Sequence, residues 1–134
     1  NNFSEDRFRL LGFTLSKRMK IYPELHTALL WLSKEDQDQF NFSKGDTEGF
    51  VNYPLSIKGI IFSTFIREDD ELVKLSLRSQ GEFPCNEFAS KYFHGGGHLN
   101  ASGGEHYGTF EEAIEIFEKG VMEYTEKLKS CIIE

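Results

Sequence analysis

The residues with most chemistry to offer lie between Lys91 and Gly104, which read Lys-Tyr-Phe-His-Gly-Gly-Gly-His-Leu-Asn-Ala-Ser-Gly-Gly. Three successive glycines, Gly95, Gly96 and Gly97, are entropically costly to order. They suit a place where backbone approaches a ligand closely, and consecutive N–H groups there can form an anion-binding nest. His98 follows directly and can offer a phosphate a hydrogen bond or a charge. His94 and Lys91 add positive potential nearby. A plain turn after a helix also uses glycines, but His98, Asn100 and the small Ala101-Ser102 pair favour a ligand loop. A zinc site from His94, His98 and His106 is disfavoured. The glycines keep His94 and His98 off a common helix face, and no Cys or carboxylate pair completes a ligand set.

A second signal is Ser76-Leu77-Arg78-Ser79. An Arg at the end of a strand, just before Gly81, can reach into a cleft and hold phosphate in a bidentate way. Taken alone, Arg78 reads more readily as a surface cation paired to one of the chain's many carboxylates.

These groups must be held by surrounding elements. Ser4 caps an expected helix to about Arg18, with Phe8, Leu11 and Leu15 on one face. Pro23 ends that pattern, and Thr27–Leu32 is a continuous apolar run of buried-strand length. Ser33 opens a short helix through about Gln39. Lys44-Gly45-Asp46 is a turn, with Asp46 expected to cap another short helix that points Phe50 and Val51 inward. Lys58–Arg67 is rich in β-formers, Glu68–Glu71 is a polar turn, and Leu72–Arg78 alternates with Val73, Leu75 and Leu77 on one face, so the two runs predict a hairpin. Asn86 starts a helix to Phe93, His94–His98 is expected to be irregular, and Ala101–Tyr107 is a further strand. Thr109 and Glu112 fit a capping box that opens a final helix to about Ser130, with Ala113, Ile114, Phe117, Val121 and Leu128 on its apolar side. The expected fold class is α/β, a single mixed β-sheet flanked by helices.

The totals bound the rest. The chain has 134 residues, a size for one domain, and its thirteen Phe supply bulky core material. Cys85 and Cys131 are the only cysteines and stand far apart, which fits a reducing cytoplasm and no disulfide framework. No apolar run is long enough to span a membrane. The opening residues have no basic flank and no apolar stretch of signal-peptide type. The chain opens on Asn1 rather than Met, the expectation being a cut or processed chain. A net charge of -7 argues against a general nucleic-acid coat protein but not against a phosphorylated ligand in a local pocket.

Together, the alternating strand, Arg-Ser, short helix, Gly-Gly-Gly-His, strand and Thr-capped helix resemble the DHHA1 domain of the DHH phosphoesterase superfamily. The likeness is nearest to the bacterial oligoribonuclease and pAp-phosphatase branch. Thr47-Glu48-Gly49-Phe50-Val51-Asn52, Lys74-Leu75-Ser76-Leu77-Arg78-Ser79 and Gly95-Gly96-Gly97-His98-Leu99-Asn100-Ala101-Ser102-Gly103 carry it, over roughly residues 25 to 130. One departure is His94, where many relatives carry another Gly.

The resemblance implies two parts: residues 1–22 as a connecting helix from an N-terminal DHH domain, and residues 23–134 as the DHHA1 domain. It implies that the DHH domain holds divalent ions, usually Mn2+, and that this chain holds no metal and lacks the catalytic centre, since no His-His dipeptide occurs in it. Carried over, Arg78 and Ser79 contact substrate phosphate; Gly95, Gly96 and Gly97 give it room and N–H groups; His98 binds it; and Asn100 and Ala101 shape the pocket floor. The implied ligands are a short RNA oligonucleotide, pAp or another phosphorylated nucleotide. Cyclic-dinucleotide hydrolysis, and tRNA binding as at the end of alanyl-tRNA synthetases, remain open, as do a plain interaction domain and a homodimer through the final helix.

Overall fold

The computed structural model describes residues 3–132. Six strands form one mixed sheet: β1 (Met19–Tyr22), β2 (Thr27–Leu32), β3 (Phe62–Glu68), β4 (Val73–Ser79), β5 (Gly96–His98) and β6 (Ala101–His106). Their order is β1-β2-β3-β4-β6-β5. Only β2 and β3 run parallel, and the other pairs are antiparallel. The α/β reading with one helix-flanked mixed sheet is therefore the observed architecture.

The two faces of the sheet have different coverings. On one, Phe62, Ile66, Val73, Leu75 and Leu77 pack under α3 (Cys85–Phe93), α4 (Phe110–Glu123) and α5 (Thr125–Ser130). Phe62 sits at the centre of this core, its ring centroid 4.8 Å from Phe83, 5.0 Å from Phe88 and 6.1 Å from Phe117. On the other face, Leu30, Leu32 and Phe65 pack against Leu10 of α1 (Glu5–Lys17) and against Phe50 and Val51 of a 3-10 helix over Phe50–Ser56. This second cover lies over β2 and β3, touches β4 through the 3-10 helix, and stops short of β6 and β5. That difference creates the cleft described below.

Local signals account for most elements. Ser4 accepts a hydrogen bond from the Arg7 N–H at the start of α1. Ser33 and Asp36 form a reciprocal capping box on α2 (Lys34–Gln39), and Thr109 with Glu112 does the same on α4. Asp36 also receives the Arg18 guanidinium through two contacts, at 2.9 and 3.1 Å. Burial by itself pushes the Asp36 carboxyl upward, but the bonds from Arg18 and Ser33 outweigh it and hold it below its ordinary value.

Several expectations need correction. Of the expected α1 face, Leu11 and Leu15 pack partly buried against the core but Phe8 is exposed, and the fully buried positions are Arg7, Leu10 and Thr14, because the helix sets Leu10 against Leu30 and Leu32. Met19–Tyr22, unassigned from sequence, pairs with β2, so the sheet crosses the expected division at residues 22 and 23. Asp46 accepts from the Ser43 N–H instead of capping the next helix, and Gly49, at φ 85°, takes the cap position. The run at Lys58 reaches the ladder at Phe62, after a turn in which Gly59 has φ 88°. The helix expected at Asn86 starts at Cys85, with Pro84 at its cap. His94–His98 is not wholly irregular: Gly96–His98 is β5, pairing with β6. The final helix breaks at Tyr124, whose ring turns into the core against Phe83 and Phe88.

Candidate phosphate cleft

Strand register defines the site rank by rank. Ser63 of β3, Arg78 of β4, Ala101 of β6 and His98 of β5 stand opposite one another in the first rank. Phe65, Ser76, Gly103 and Gly96 form the second, and Arg67, Lys74 and Glu105 the third. Directly paired residues point to the same side of a sheet, and all three ranks lie on the face that α1 covers only in part. The result is a cleft of about 570 Å³, floored by these strands. Thr47, Glu48, Gly49 and Val51 wall one side, and His94 and Gly95 the other.

Cations occupy both ends. Arg78 is half-buried, and its Nη1 donates to the carbonyls of Leu77 at 2.8 Å and Ser102 at 3.2 Å. It makes no ion pair with a carboxylate among the described residues, so it is a held guanidinium with donors to spare. Four residues along the strand, about 13 Å away, stand Lys74 and, beside it, Arg67. These two face Asp69 at 3.9 and 3.7 Å, distances that leave the pairing loose. Arg67 also lies 5.3 Å from the Phe42 ring centroid. The cleft lining carries three cations, Arg67, Lys74 and Arg78, against two carboxylates, Glu48 and Glu105, a local excess of positive charge in a chain of net charge -7.

The glycines divide into two kinds. At Gly95 a methyl group would overlap the Gly103 carbonyl and lie 2.8 Å from the Gly104 Cα; at Gly97, with φ 145°, it would lie 2.7 Å from the Ala101 carbonyl oxygen. Those two are demanded by the close approach of β5 to β6. Gly96 is different: its φ is ordinary and a methyl group there meets nothing within 4 Å. Its partner Gly103 would meet only the Leu75 carbonyl oxygen, at 3.4 Å. Packing demands neither, and together they keep the middle of the cleft floor smooth.

The expected site residues are therefore brought together unevenly. Arg78 and Gly96 line the cleft, while Ala101 and the exposed His98 stand in register with Arg78 on the same sheet face, outside the cleft lining. Ser79 is turned to the opposite face and buried, its hydroxyl donating to the Phe83 carbonyl at 2.7 Å and within 3.1 Å of the Leu99 carbonyl. Asn100 Nδ2 donates to that hydroxyl at 2.9 Å and to the Gly81 carbonyl at 3.1 Å. Ser79 and Asn100 thus pin the β5–β6 turn behind the cleft. Gly95 and Gly97 hold the strand's close approach. Lys74, Ser76 and Arg67 were missed by the sequence reading. The period-two alternation that placed Val73, Leu75 and Leu77 on one face puts Lys74 and Ser76 with Arg78 on the other, and that signal was sufficient to find them. At the third rank the Tyr107 hydroxyl donates to Glu105 at 3.0 Å, a bond that holds its phenol above the ordinary value and keeps it a donor. No three His, Cys, Asp or Glu side chains among the described residues converge to hold a metal ion. Arg78, Lys74 and Arg67 give the cleft donors that suit an anion.

Comparison with known proteins matches residues 25–124 to the DHHA1 domain. A solved structure of an exopolyphosphatase-related protein from Bacteroides fragilis is 56% identical with a TM-score of 0.93, covering 96% of this chain and 38% of that one. A pGpG-specific phosphodiesterase from Vibrio cholerae is 17% identical with a TM-score of 0.64, covering 93% of this chain and 40% of that one. An uncharacterized protein from Helicobacter pylori is 20% identical with a TM-score of 0.53, covering 90% and 34%. The last two likenesses are of fold alone. This chain spans well under half the length of each of these structures. No curated protein matches it.

Proposed function

The chain belongs to the DHHA1 domain family, and on that premise we propose that it is the substrate-gripping domain of a manganese-dependent DHH-family phosphodiesterase or phosphatase acting on short oligoribonucleotides or pAp. The observation that carries this reading is the cleft with Arg78 at one end, Arg67 and Lys74 at the other, and the Gly96–Gly103 floor between them. A separation of about 13 Å between cationic ranks exceeds one phosphate and suits a ligand with phosphate at more than one position. In this reading Arg78 and His98 hold one phosphate, Lys74 and Arg67 another, and the glycine floor lets the backbone of the nucleotide lie against the sheet. Ser79, Asn100, Gly95 and Gly97 keep that floor in place from behind.

The contribution to catalysis is positioning. The metal would be supplied by the DHH domain; the residues of this cleft do not fit a divalent ion, and no metal-dependent step is assigned to them. Among the described residues no helix is long and apolar enough to cross a membrane, and the proposed location is the cytoplasm, where oligoribonucleotides and pAp occur.

The test is an amide NMR titration with pAp, an RNA dinucleotide and a cyclic dinucleotide, repeated with Arg78→Ala and His98→Ala. Saturable shifts at Gly95–His98 that are lost in both variants support the phosphate grip, and the three affinities rank the substrates. Equal binding by both variants and the unaltered chain refutes it.

A further inference from the structure

The residue that ends α3 is anomalous. His94 has φ 51° and ψ 30°, the left-handed conformation in which helices commonly end on glycine. A side chain there is strained, and strain of this kind persists where something else requires the residue. Core packing does not require it, because His94 is exposed. Its ring instead lines the cleft and meets the Tyr107 ring edge-on, at 5.6 Å between centroids and 61° between planes. Tyr107 is 65% exposed and likewise adds nothing to the core, but its hydroxyl is tied to Glu105 at the third rank, beside Lys74. Two aromatic rings are thus oriented against each other, exposed, and placed at the end of a cationic cleft.

We propose that His94, buttressed by Tyr107, is the wall on which a nucleobase stacks when its phosphates occupy the cleft. Aromatic rings bind bases by stacking with little regard to sequence, so the wall selects nucleotides over other phosphorylated compounds. The proposal rests on the reading of the cleft as a phosphate site, and adds that the base-bearing end of the ligand lies at the third rank, away from Arg78.

The experiment titrates the chain with two probes, pAp and the base-free ribose 5-phosphate, for the unaltered protein, His94→Gly and His94→Phe, with a thermal melt of each. Removing the stack weakens pAp about tenfold in His94→Gly, leaves ribose 5-phosphate unchanged, and does not lower the Tm, since glycine relieves the left-handed strain. His94→Phe keeps an aromatic ring without the imidazole nitrogens and retains pAp binding within about threefold of the unaltered chain. An equal loss for both probes overturns the proposal by making His94 a phosphate contact. Undiminished pAp binding by His94→Gly overturns it too. Failure of the unaltered chain to bind either probe overturns the phosphate reading itself and the wall with it.

Discussion

Gly95 and Gly96 are neighbours in one motif, yet alanine at the two positions is expected to do opposite things. At Gly95 the added methyl group meets the Gly103 carbonyl and the Gly104 Cα at 2.8 Å, atoms of a paired strand that cannot step aside without breaking the β5–β6 ladder. Overpacking of that kind costs about 1–3 kcal/mol, and at this chain length each kcal/mol lowers the Tm by roughly 4 °C. At Gly96 the methyl group meets nothing within 4 Å and φ is not positive. Alanine there restricts the unfolded chain and is expected to stabilise by about 0.4–1 kcal/mol. It also raises the cleft floor by about 1.5 Å, one carbon–carbon bond. Lifting a phosphate out of reach of one charge-assisted donor costs about 1.5–3 kcal/mol, a roughly ten- to hundredfold rise in Kd for pAp. Urea or thermal melts measure the first effect and an NMR titration the second. A Gly96→Ala protein that binds pAp as tightly as the unaltered chain refutes the smooth-floor argument. A Gly95→Ala protein with an unchanged Tm refutes the close-approach argument.

Other perturbations test separate parts of the structure. Lys74→Ala is expected to weaken pAp binding and flatten its dependence on salt, because Lys74 is exposed and its attraction is screened; an unchanged salt slope contradicts its place in the grip. Phe62→Ala removes the centre of the aromatic core and is expected to cost about 3–5 kcal/mol in a urea melt. Thr109→Ala deletes the cap of α4 and is expected to cost about 1 kcal/mol, with the cleft's ligand affinity unchanged. The Asp36 carboxyl is held below its ordinary value in the folded chain, so its bond to Arg18 contributes stability at neutral pH that is lost as pH falls through its folded value, below about pH 4. Asp36→Asn is expected to remove that part of the acid sensitivity, as read from melts between pH 3 and pH 6.

Much of this protein is local, and local chemistry is legible in sequence. β2 falls on Thr27–Leu32, where an unbroken apolar run demands burial on both faces of a sheet. The Ser4, Ser33 and Thr109 caps fall where a short polar side chain precedes helix-forming residues. The alternation in β4 set Arg78 on the face opposite Leu77, and the same period two carries Lys74 and Ser76 with it, although only Arg78 was drawn from it. What sequence could not decide depends on neighbours distant in the chain. Which face of that sheet stays open follows from how far α1 and the 3-10 helix at Phe50 extend across it. β5 exists because Gly103 brings a second glycine-bearing strand against Gly96, a pairing that neither segment encodes alone. The same contact divides the glycines into those packing demands and those it leaves free. Ser79 changes from expected ligand to buried pin because a strand alternates: the residue after a cleft-facing arginine must point into the core. Sequence assigned the chemical types; tertiary packing assigned their direction, because a side chain's partners are set by what the fold lays against it.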